Sequence, residues 1–259
     1  MGDNAITTFD GKKHDTGELL KKMMDDDFYY GYLGKEALSC SLLKVIIQSP
    51  KRYIELIDVG QKETQPLRDG KLLHMAVLEP EKFEDLVVVD VKSKNTKTYK
   101  EAVEEFGTVY TTPEIETALL LATTLHDNVK VQKILKGAEF EVPAIAMIDG
   151  IPFRGKADIL KGSEIIDVKT TVDIKKFKYS AYKYSYDLQA YLYLQLFPEA
   201  KTFTFLCIDK ATKDIAIYEC SDEFLQSGKD KLEQGIADFN FFFRNKDLSL
   251  KDYIIYDTV

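Results

Sequence analysis

Apolar residues recur at helical spacing in the first third of the chain, with serine and proline where the pattern restarts. The pattern predicts three successive helices, over residues 38–47, 51–59 and 67–78. A serine caps the first helix, Ser49-Pro50 separates it from the second, and Gln65-Pro66 begins the third. A short strand over 86–91 and helices over about 99–105 and 113–135 are expected next. The residues of the last helix expected to face inward are Leu119, Leu120, Ala122 and Leu125.

The second half of the chain changes to the alternating pattern of strands. The predicted strands cover residues 140–148, 153–160, 164–171, 202–208 and 215–220. The predicted helices cover residues 186–197 and 222–244. The strands over 153–160 and 164–171 form a hairpin because only a short polar break separates them. Strands flanked by helices predict an α/β fold with a central mixed sheet, preceded by N-terminal helical elements.

The 259 residues are sufficient for one large domain, for which residues 33–259 are expected. Residues 1–32, with the acidic run at 25–27, are expected to be a loose or partly ordered leader. The composition, 45% hydrophobic and 30% charged, is typical of a soluble protein, and no apolar run approaches the ~20 residues that span a bilayer. The polar N-terminus predicts an intracellular protein. Three scattered cysteines argue against disulfides, zinc and an iron-sulfur cluster.

The net charge of −8 at first argues against nucleic-acid binding, but the charge is unevenly distributed. Residues 150–185 carry eight basic and four acidic side chains, which gives a local net charge of +4. This stretch could therefore contact phosphates. The candidate DNA-binding residues in it are Arg154, Lys156, Lys175, Lys176 and Lys178.

The predicted hairpin carries the residues with the most specific chemistry. Asp167 and Lys169 lie two positions apart and so share one face of their strand, and the hairpin can bring Asp158 beside them. Two carboxylates offer the hard oxygen ligands that Mg²⁺ or Mn²⁺ prefers, and a lysine beside the metal can stabilise an anionic transition state. An Asp-x-Lys pair alone is a weak motif, but these acids adjoin apolar strand residues, where charges are unusual.

Two helices contribute further candidates. Gly70 and His74 lie on one side of the third helix, where the glycine would permit close approach of another element, although a lone helical histidine is more often structural. Gln189 and Tyr193 lie one turn apart, away from the apolar stripe of their helix. The alternative is that both are ordinary surface residues.

The four patterns Gly70-x-x-x-His74, Gly155-x-x-Asp158, Asp167-x-Lys169 and Gln189-x-x-x-Tyr193 resemble, in this order, the RecB-type branch of the PD-(D/E)XK nuclease superfamily. Segments 38–53 and 73–80 are also similar to the nuclease domain of phage exodeoxyribonuclease VIII (RecE). The resemblance spans about residues 38–244 and implies a restriction-endonuclease-like core. The cysteines of the iron-sulfur members and an ATP-binding phosphate loop are absent from the sequence.

The resemblance also implies roles for individual residues. Asp158 would bridge metals, Asp167 and the Val168 carbonyl would be further ligands, and His74 would sit at the metal site. Lys169 would orient or help to deprotonate the attacking water. Gln189 and Tyr193 would hold the DNA backbone or support the site, and Thr170 would support the phosphate. Family members use a further upstream glutamate, for which Glu139 and Glu141 both remain open. Two Mg²⁺ or Mn²⁺ ions per site are expected.

The same resemblance implies a DNA exonuclease. It would digest linear double-stranded DNA from the 5′ end and leave 3′ single-stranded tails for recombination. The resemblance also implies a ring-shaped homo-oligomer and a single-strand annealing protein as partner. For a phage-encoded protein, the expected location is the cytoplasm of a bacterial host. The alternatives are another RecB-type nuclease, acting as an endonuclease or on single strands, and an inactive DNA-binding or structural protein of the same fold.

Overall fold

A computed structural model describes residues 5–60, 62–245, 250 and 254. The strands in these residues are β1 (Ala5–Thr7), β2 (Lys13–Asp15), β3 (Val88–Val89), β4 (Tyr110–Thr111), β5 (Glu139–Ile148), β6 (Ile151–Lys161), β7 (Glu164–Thr171), β8 (Thr202–Asp209) and β9 (Ile215–Glu219). The last five form one sheet in the order β5-β6-β7-β8-β9. Only β7 and β8 run parallel in it, so the predicted central mixed sheet is confirmed.

Helices flank this sheet. They are α1 (Thr16–Lys22), α2 (Leu33–Glu36), α3 (Cys40–Gln48), α4 (Pro50–Val59), α5 (Gln65–Leu78), α6 (Pro80–Glu84), α7 (Lys97–Phe106), α8 (Thr112–Asp127), α9 (Val129–Leu135), α10 (Phe177–Lys183), α11 (Tyr186–Leu196) and α12 (Asp222–Phe239). Short π-helical turns cover Asp27–Tyr32 and Asn240–Arg244, and a 3₁₀ turn covers Ile174–Lys176. None of the helices in the described part of the chain has the length and apolar character needed to cross a bilayer.

The first helices begin within two residues of the predicted positions. The Ser39 hydroxyl accepts a hydrogen bond from the amide of Leu42, and the Ser49 hydroxyl accepts one from the amide of Arg52. Both bonds satisfy amides that lack partners inside the helix. Pro50 occupies the first turn of α4, where no amide hydrogen is needed.

The two faces of the sheet bury two separate cores. Ile165, Phe203 and Phe205 pack on one face against α3, α11 and α12. Ile166, Val168 and others pack on the opposite face against α5, α8 and α9. Successive residues of β7 therefore face different helices, as strand alternation requires. The site-bearing strand is supported on both sides.

The predicted long helix over 113–135 is wrong in two respects. Asn128 interrupts it, and its side chain caps α9 by accepting from the amides of Lys130 and Val131. Leu119 and Leu120, predicted to face inward, are 46% and 54% exposed. The run of apolar residues at 118–122 fits more than one helical stripe, and packing against α5 selects the one with Ala118 and Leu121.

The residues predicted to be a loose or partly ordered leader are packed from Ala5 onward. β1, β2 and α1 precede the π-helical turn, and apolar side chains of β1, α1, this turn and α2 form a core cluster with Ile145 of β5. The guanidinium of Arg154 donates to the carbonyl of Leu33 at 3.0 Å and lies over the ring of Tyr29. The acidic composition at 25–27 therefore does not prevent this segment from joining the fold.

Candidate active site

The candidate site lies where strands β6 and β7 separate. Their ladder ends at the pair Ile159 and Ile166, and farther along β6 the neighbour is Leu38 instead. Asp158 is the first residue past the ladder, and its Oδ2 accepts a hydrogen bond from the amide of Val168 at 2.8 Å. The Asp158 carboxylate thus accepts the hydrogen bond that a carbonyl of β6 would accept if the ladder continued, at the point where β6 and β7 separate.

His74 of α5 closes this gap from the helix side. Its Nε2 lies 2.7 Å from the carbonyl oxygen of Val168, and donation to that oxygen requires the proton on Nε2. The other nitrogen, Nδ1, then faces Oδ2 of Asp158 at 3.5 Å with its lone pair available. The structure therefore places His74 beside Asp158 and the Val168 carbonyl, and its role at a metal site stays a prediction.

Glu141 of β5 completes a group of three potential metal ligands. One ligand atom from each of His74, Glu141 and Asp158 lies within 4.8 Å of the others. Register places Glu141 opposite Asp158, between the flanking pairs of β5 and β6, whereas Glu139 is exposed. Glu141 also has a φ of 49°, a backbone conformation that is strained for a residue with a side chain. Of the two glutamates left open by the sequence, Glu141 is the one at the site.

Asp167 and Lys169 form an adjoining cluster on the other face of β7. Oδ1 of Asp167 accepts from Nε2 of Gln189 at 2.6 Å, and Oδ2 lies 2.5 Å from Nζ of Lys169. The predicted sharing of one strand face is correct. However, the Asp167 carboxylate is turned toward α11 and is not in the group formed by His74, Glu141 and Asp158. The two acids flank Val168 instead of meeting at one point.

Burial and neighbouring charge perturb the ionisation of these groups. Burial, reinforced by the charge of Asp158, raises the pKa of Glu141 to about 8. Burial likewise raises the pKa of Asp158 to about 6, although His74 acts in the opposite direction. Burial alone would lower the pKa of Lys169, but the charges of Asp167 and Asp158 raise it above its usual range. The lysine is therefore an ammonium group, and for Glu141 and Asp158 burial outweighs the positive charges nearby.

Tyr193 acts by packing. A Cβ on Gly155 would lie 3.0 Å from Leu196 Cδ1 and 3.1 Å from Cζ of Tyr193, so the glycine permits α11 to rest on β6. The tyrosine ring also packs against Phe203 and supports the strand that carries Asp158. The predicted close approach at Gly70 is wrong, because no atom lies within 4 Å of a Cβ built there.

The DNA-binding candidates fall into two groups. Arg154 and Lys156 are 5% and 9% exposed, and Lys156 is paired with Asp26 at 2.7 Å, so their prediction as DNA contacts is corrected. Both were misassigned because the N-terminal segment covers them. Lys175, Lys176 and Lys178 are exposed next to the end of β7, and Thr170 is half-buried there.

Tyr186 is a site residue that the sequence did not single out. Nζ of Lys169 lies 4.9 Å from the centroid of its ring, and Nζ of Lys44 lies 5.3 Å from it. These contacts hold the lysine over an aromatic face. The sequence signal was its position three residues before Gln189, one turn along the same helix.

Residues 39–247 match the sequence profile of a protein family described as a PDDEXK-like domain of unknown function (DUF3799). The chain belongs to this family. The PDDEXK-like assignment agrees with the mixed sheet and the order of the site motifs. Among proteins with curated functions, none matches this chain by sequence.

Solved structures give an independent comparison for this PDDEXK-like chain. A "putative exonuclease" of Eubacterium rectale is 15% identical, with a TM-score of 0.65 over 91% of this chain and 95% of that one. At this identity the likeness shows the fold. A phage related exonuclease of Haemophilus somnus 129PT is 16% identical over 59% of this chain and 89% of that one, with a TM-score of 0.30.

Proposed function

We propose that the chain is a metal-dependent deoxyribonuclease. The observation that carries this proposal is the grouping of His74, Glu141 and Asp158, two of which contact the backbone of Val168, with Lys169 on the adjoining face. Surface charges rarely gather in this way, because the three side chains come from three elements and two of them are acids with raised pKa values.

The donor set fits a hard divalent cation. The carboxylates of Glu141 and Asp158 and the Val168 carbonyl, which keeps a second lone pair, are oxygen donors that suit Mg²⁺ or Mn²⁺, and the imidazole of His74 would add one nitrogen ligand. Asp167, on the other side of Val168, would supply a ligand for a second ion. Bound cations would neutralise charge on the phosphate and lower the pKa of an attacking water.

The remaining residues would bind and orient. Lys169, as an ammonium, would stabilise negative charge developing on the phosphate and hold the water by donating a hydrogen bond. This role fits its raised pKa better than deprotonation of the water. Gln189 would hold the Asp167 carboxylate in place by a hydrogen bond, and Tyr193 would support β6 by packing against Gly155. Thr170, Lys175, Lys176 and Lys178 would contact the DNA backbone beside the site.

We further propose that the substrate is linear double-stranded DNA, digested from 5′ to 3′ to leave 3′ tails for recombination. The resemblance to the RecE nuclease domain supports this polarity. The neighbour described as an exonuclease agrees with digestion from an end. A ring-shaped homo-oligomer and a single-strand annealing partner belong to the same proposal, which a solution mass determination and a binding assay with such a protein would test.

The decisive experiment incubates the protein with linear and closed circular DNA, with Mg²⁺, Mn²⁺ or chelator. We expect nucleotide release from linear duplex with either ion, reduced at least about a hundredfold in Asp158→Asn, Asp167→Asn and Lys169→Ala. Lys97→Ala, at a site 88% exposed on α7, is the matched control and should retain activity. Separate 5′ and 3′ labels determine polarity.

The outcomes separate the alternatives. Cleavage of closed circles would replace the exonuclease proposal by an endonuclease, and exclusive digestion of single strands would replace the duplex substrate. Wild-type protein that is inert on every DNA form with both ions would contradict the enzyme proposal. Binding of DNA by such an inert protein would favour the non-catalytic alternative.

A further inference from the structure

A stretch rich in lysine and tyrosine connects the two elements that carry Asp167, Lys169 and Gln189. Residues 174–186 contain four lysines and four tyrosines and no acidic residue, although the chain has a net charge of −8. The stretch folds as the 3₁₀ turn Ile174–Lys176 followed by α10 and the start of α11. Lysine and tyrosine are thus concentrated next to the site, and stability of the short helix α10 alone does not explain this concentration.

The stretch is amphipathic, with its aromatic and basic side chains directed to solvent. Phe177 and Ala181 anchor α10 in the core. Tyr179 is 79% exposed and Tyr184 is 54% exposed, an unusual position for large aromatic side chains. We define the α10 outer face by its exposed residues, Lys175, Lys176, Lys178, Tyr179, Tyr182, Lys183 and Tyr184.

Aromatic contacts connect the α10 outer face to the candidate active site. The rings of Tyr184 and Tyr186 have centroids 6.0 Å apart. Tyr186 in turn lies beneath Nζ of Lys169, 4.9 Å from its ring centroid. A path of rings therefore leads from the proposed water-orienting lysine to the exposed surface. A polymer chain leaving the site along this path would meet aromatic faces and ammonium groups in succession.

We infer that the α10 outer face binds single-stranded DNA next to the cleavage site. Exposed aromatic faces stack on unpaired bases, whereas the bases of a duplex are already stacked on one another, and lysines neutralise the backbone phosphates. Tyrosine is also enriched in protein–protein interfaces, but lysine is depleted in them, so the combination of the two fits a nucleic acid better than a protein partner. The inference rests on the proposed function, which supplies DNA as the substrate. It adds a surface that binds this DNA in its single-stranded form.

The test measures the affinity of a labelled oligothymidylate of about 20 nucleotides, a length that exceeds typical single-strand site sizes. All variants carry Asp158→Asn so that the probe is not cut. Tyr179→Ala with Tyr184→Ala should weaken binding at least about tenfold, the equivalent of stacking one base. The matched phenylalanine double variant keeps both rings and should bind within about threefold of the parent. Tyr182 is left unchanged because its ring packs on Phe224.

Two controls test whether the effect is specific. Phe106→Ala removes an aromatic side chain on α7 that is 55% exposed, and it should not change the affinity for the oligonucleotide. The alanine variant should lose less affinity for a blunt duplex than for the single strand. Circular dichroism spectra of all variants would show whether α10 remains folded.

Each result bears on the inference in a definite way. Unchanged single-strand affinity in the alanine variant overturns it, and so does an equal loss for duplex and single strand, which would indicate a duplex surface. Equal losses in the phenylalanine and alanine variants would overturn the stacking argument. If the otherwise unmodified chain hydrolyses DNA while the alanine variant binds normally, this inference fails alone. If that chain hydrolyses no DNA form but the alanine variant still loses single-strand binding, the proposed function fails and the binding surface remains.

Discussion

At the scale of single residues, Glu141 combines three unfavourable features. Its backbone adopts a left-handed conformation, its side chain is held close to Asp158, and burial raises its pKa to about 8. Such strain persists only where the surrounding structure enforces it and is common at functional sites. A cation bound between these acids would relieve the repulsion.

Substitution of Glu141 by glutamine should therefore have opposite effects with and without metal. In chelator, Glu141→Gln should raise the melting temperature by a few degrees, because about 1 kcal/mol corresponds to ~2–4 °C for a chain of this size. With Mn²⁺, the variant should show a smaller metal-induced shift than the wild type, since ligand binding stabilises the native state. Differential scanning fluorimetry measures both.

Glu139→Gln is the control for this prediction, because Glu139 is exposed on the same strand. It should leave the melting temperature and the metal shift unchanged. Equal metal shifts in wild type and Glu141→Gln would show that Glu141 is not a ligand.

The sequence predicted most of the residues that meet at this site and missed their arrangement. The motifs identified His74, Asp158 and Asp167. Strand alternation could not distinguish Glu139 from Glu141, because both lie on the same side of an ideal strand. It also could not anticipate the shift of phase at Asp158, since Ala157 packs in one core and Ile159 in the other.

At the scale of elements, a buried ionic network holds α5, the helix of His74, against α8. Nε of Arg68 lies 2.7 Å from Oε1 of Glu114, and both side chains are less than a tenth exposed. Arg68 also donates to the carbonyl of Val109. Removing the Glu114 charge would leave the buried guanidinium of Arg68 with one remaining carboxylate, the more exposed Glu63 at 2.8 Å.

We expect Glu114→Gln to lower the free energy of unfolding by about 3 kcal/mol at neutral pH. Burial raises the pKa of Glu114, but hydrogen bonds from Lys94, Gln65 and Thr111 outweigh it and hold the pKa well below its usual range. The stabilisation is therefore present above the unfolded-state pKa of about 4.3 and is lost as pH falls toward the folded-state value. Urea unfolding across this range measures it.

The surface pair Lys97 and Glu101 provides the comparison, because both side chains are largely exposed. Glu101→Gln should change stability by less than about 0.5 kcal/mol. A difference between wild type and Glu114→Gln that stays constant with pH would contradict an electrostatic origin.

Packing of α12 on α11 makes Gly228 a second sensitive position at this scale. A Cβ there would lie 2.1 Å from the backbone oxygen of Asp187, which cannot move without displacing α11. Gly228→Ala should lower the free energy of unfolding by more than about 3 kcal/mol. Gly70→Ala, with open space around it, should raise it by about 0.5–1 kcal/mol because alanine favours helices. Denaturant unfolding that gives both variants the same stability would refute this argument.

Elements with caps and strong periodicity were predictable, as the bounds of α5 and β8 illustrate. The break at Asn128 was not, because the apolar pattern continues across it. α10 was missed since only Phe177 and Ala181 of its seven residues are buried, which is too few to define a stripe.

At the scale of the whole molecule, the N-terminal segment is a structural part of the fold although the family profile begins at residue 39. Asp26 contacts both Lys82 and Lys156, and so connects this segment to α6 and to the strand of Asp158. No strong periodicity marks the segment because it consists of several short elements, none longer than seven residues. The sequence therefore suggested a leader.

Removal of residues 1–36 should lower the melting temperature by many degrees, since burial of each large apolar side chain contributes ~1.5–3 kcal/mol. Leu33→Ala is a milder variant that should lose ~2–5 kcal/mol. Thermal unfolding monitors both, and Lys35→Ala, on the exposed side of α2, is the control. Unchanged melting in the truncated protein would show that the segment is dispensable.

The contacts of Val168 with Asp158 and His74 have a consequence for how this site is studied. Both contacts are made by backbone atoms, the amide and the carbonyl of Val168. The side chain of Val168 only packs in the surrounding core. Leucine or isoleucine there would preserve the chemistry, and an alanine scan would record a packing defect. Side-chain mutagenesis at this position therefore reports on packing alone, and replacing the Asp167–Val168 amide by an ester, which removes the N–H that donates to Asp158, would reveal what the backbone contributes.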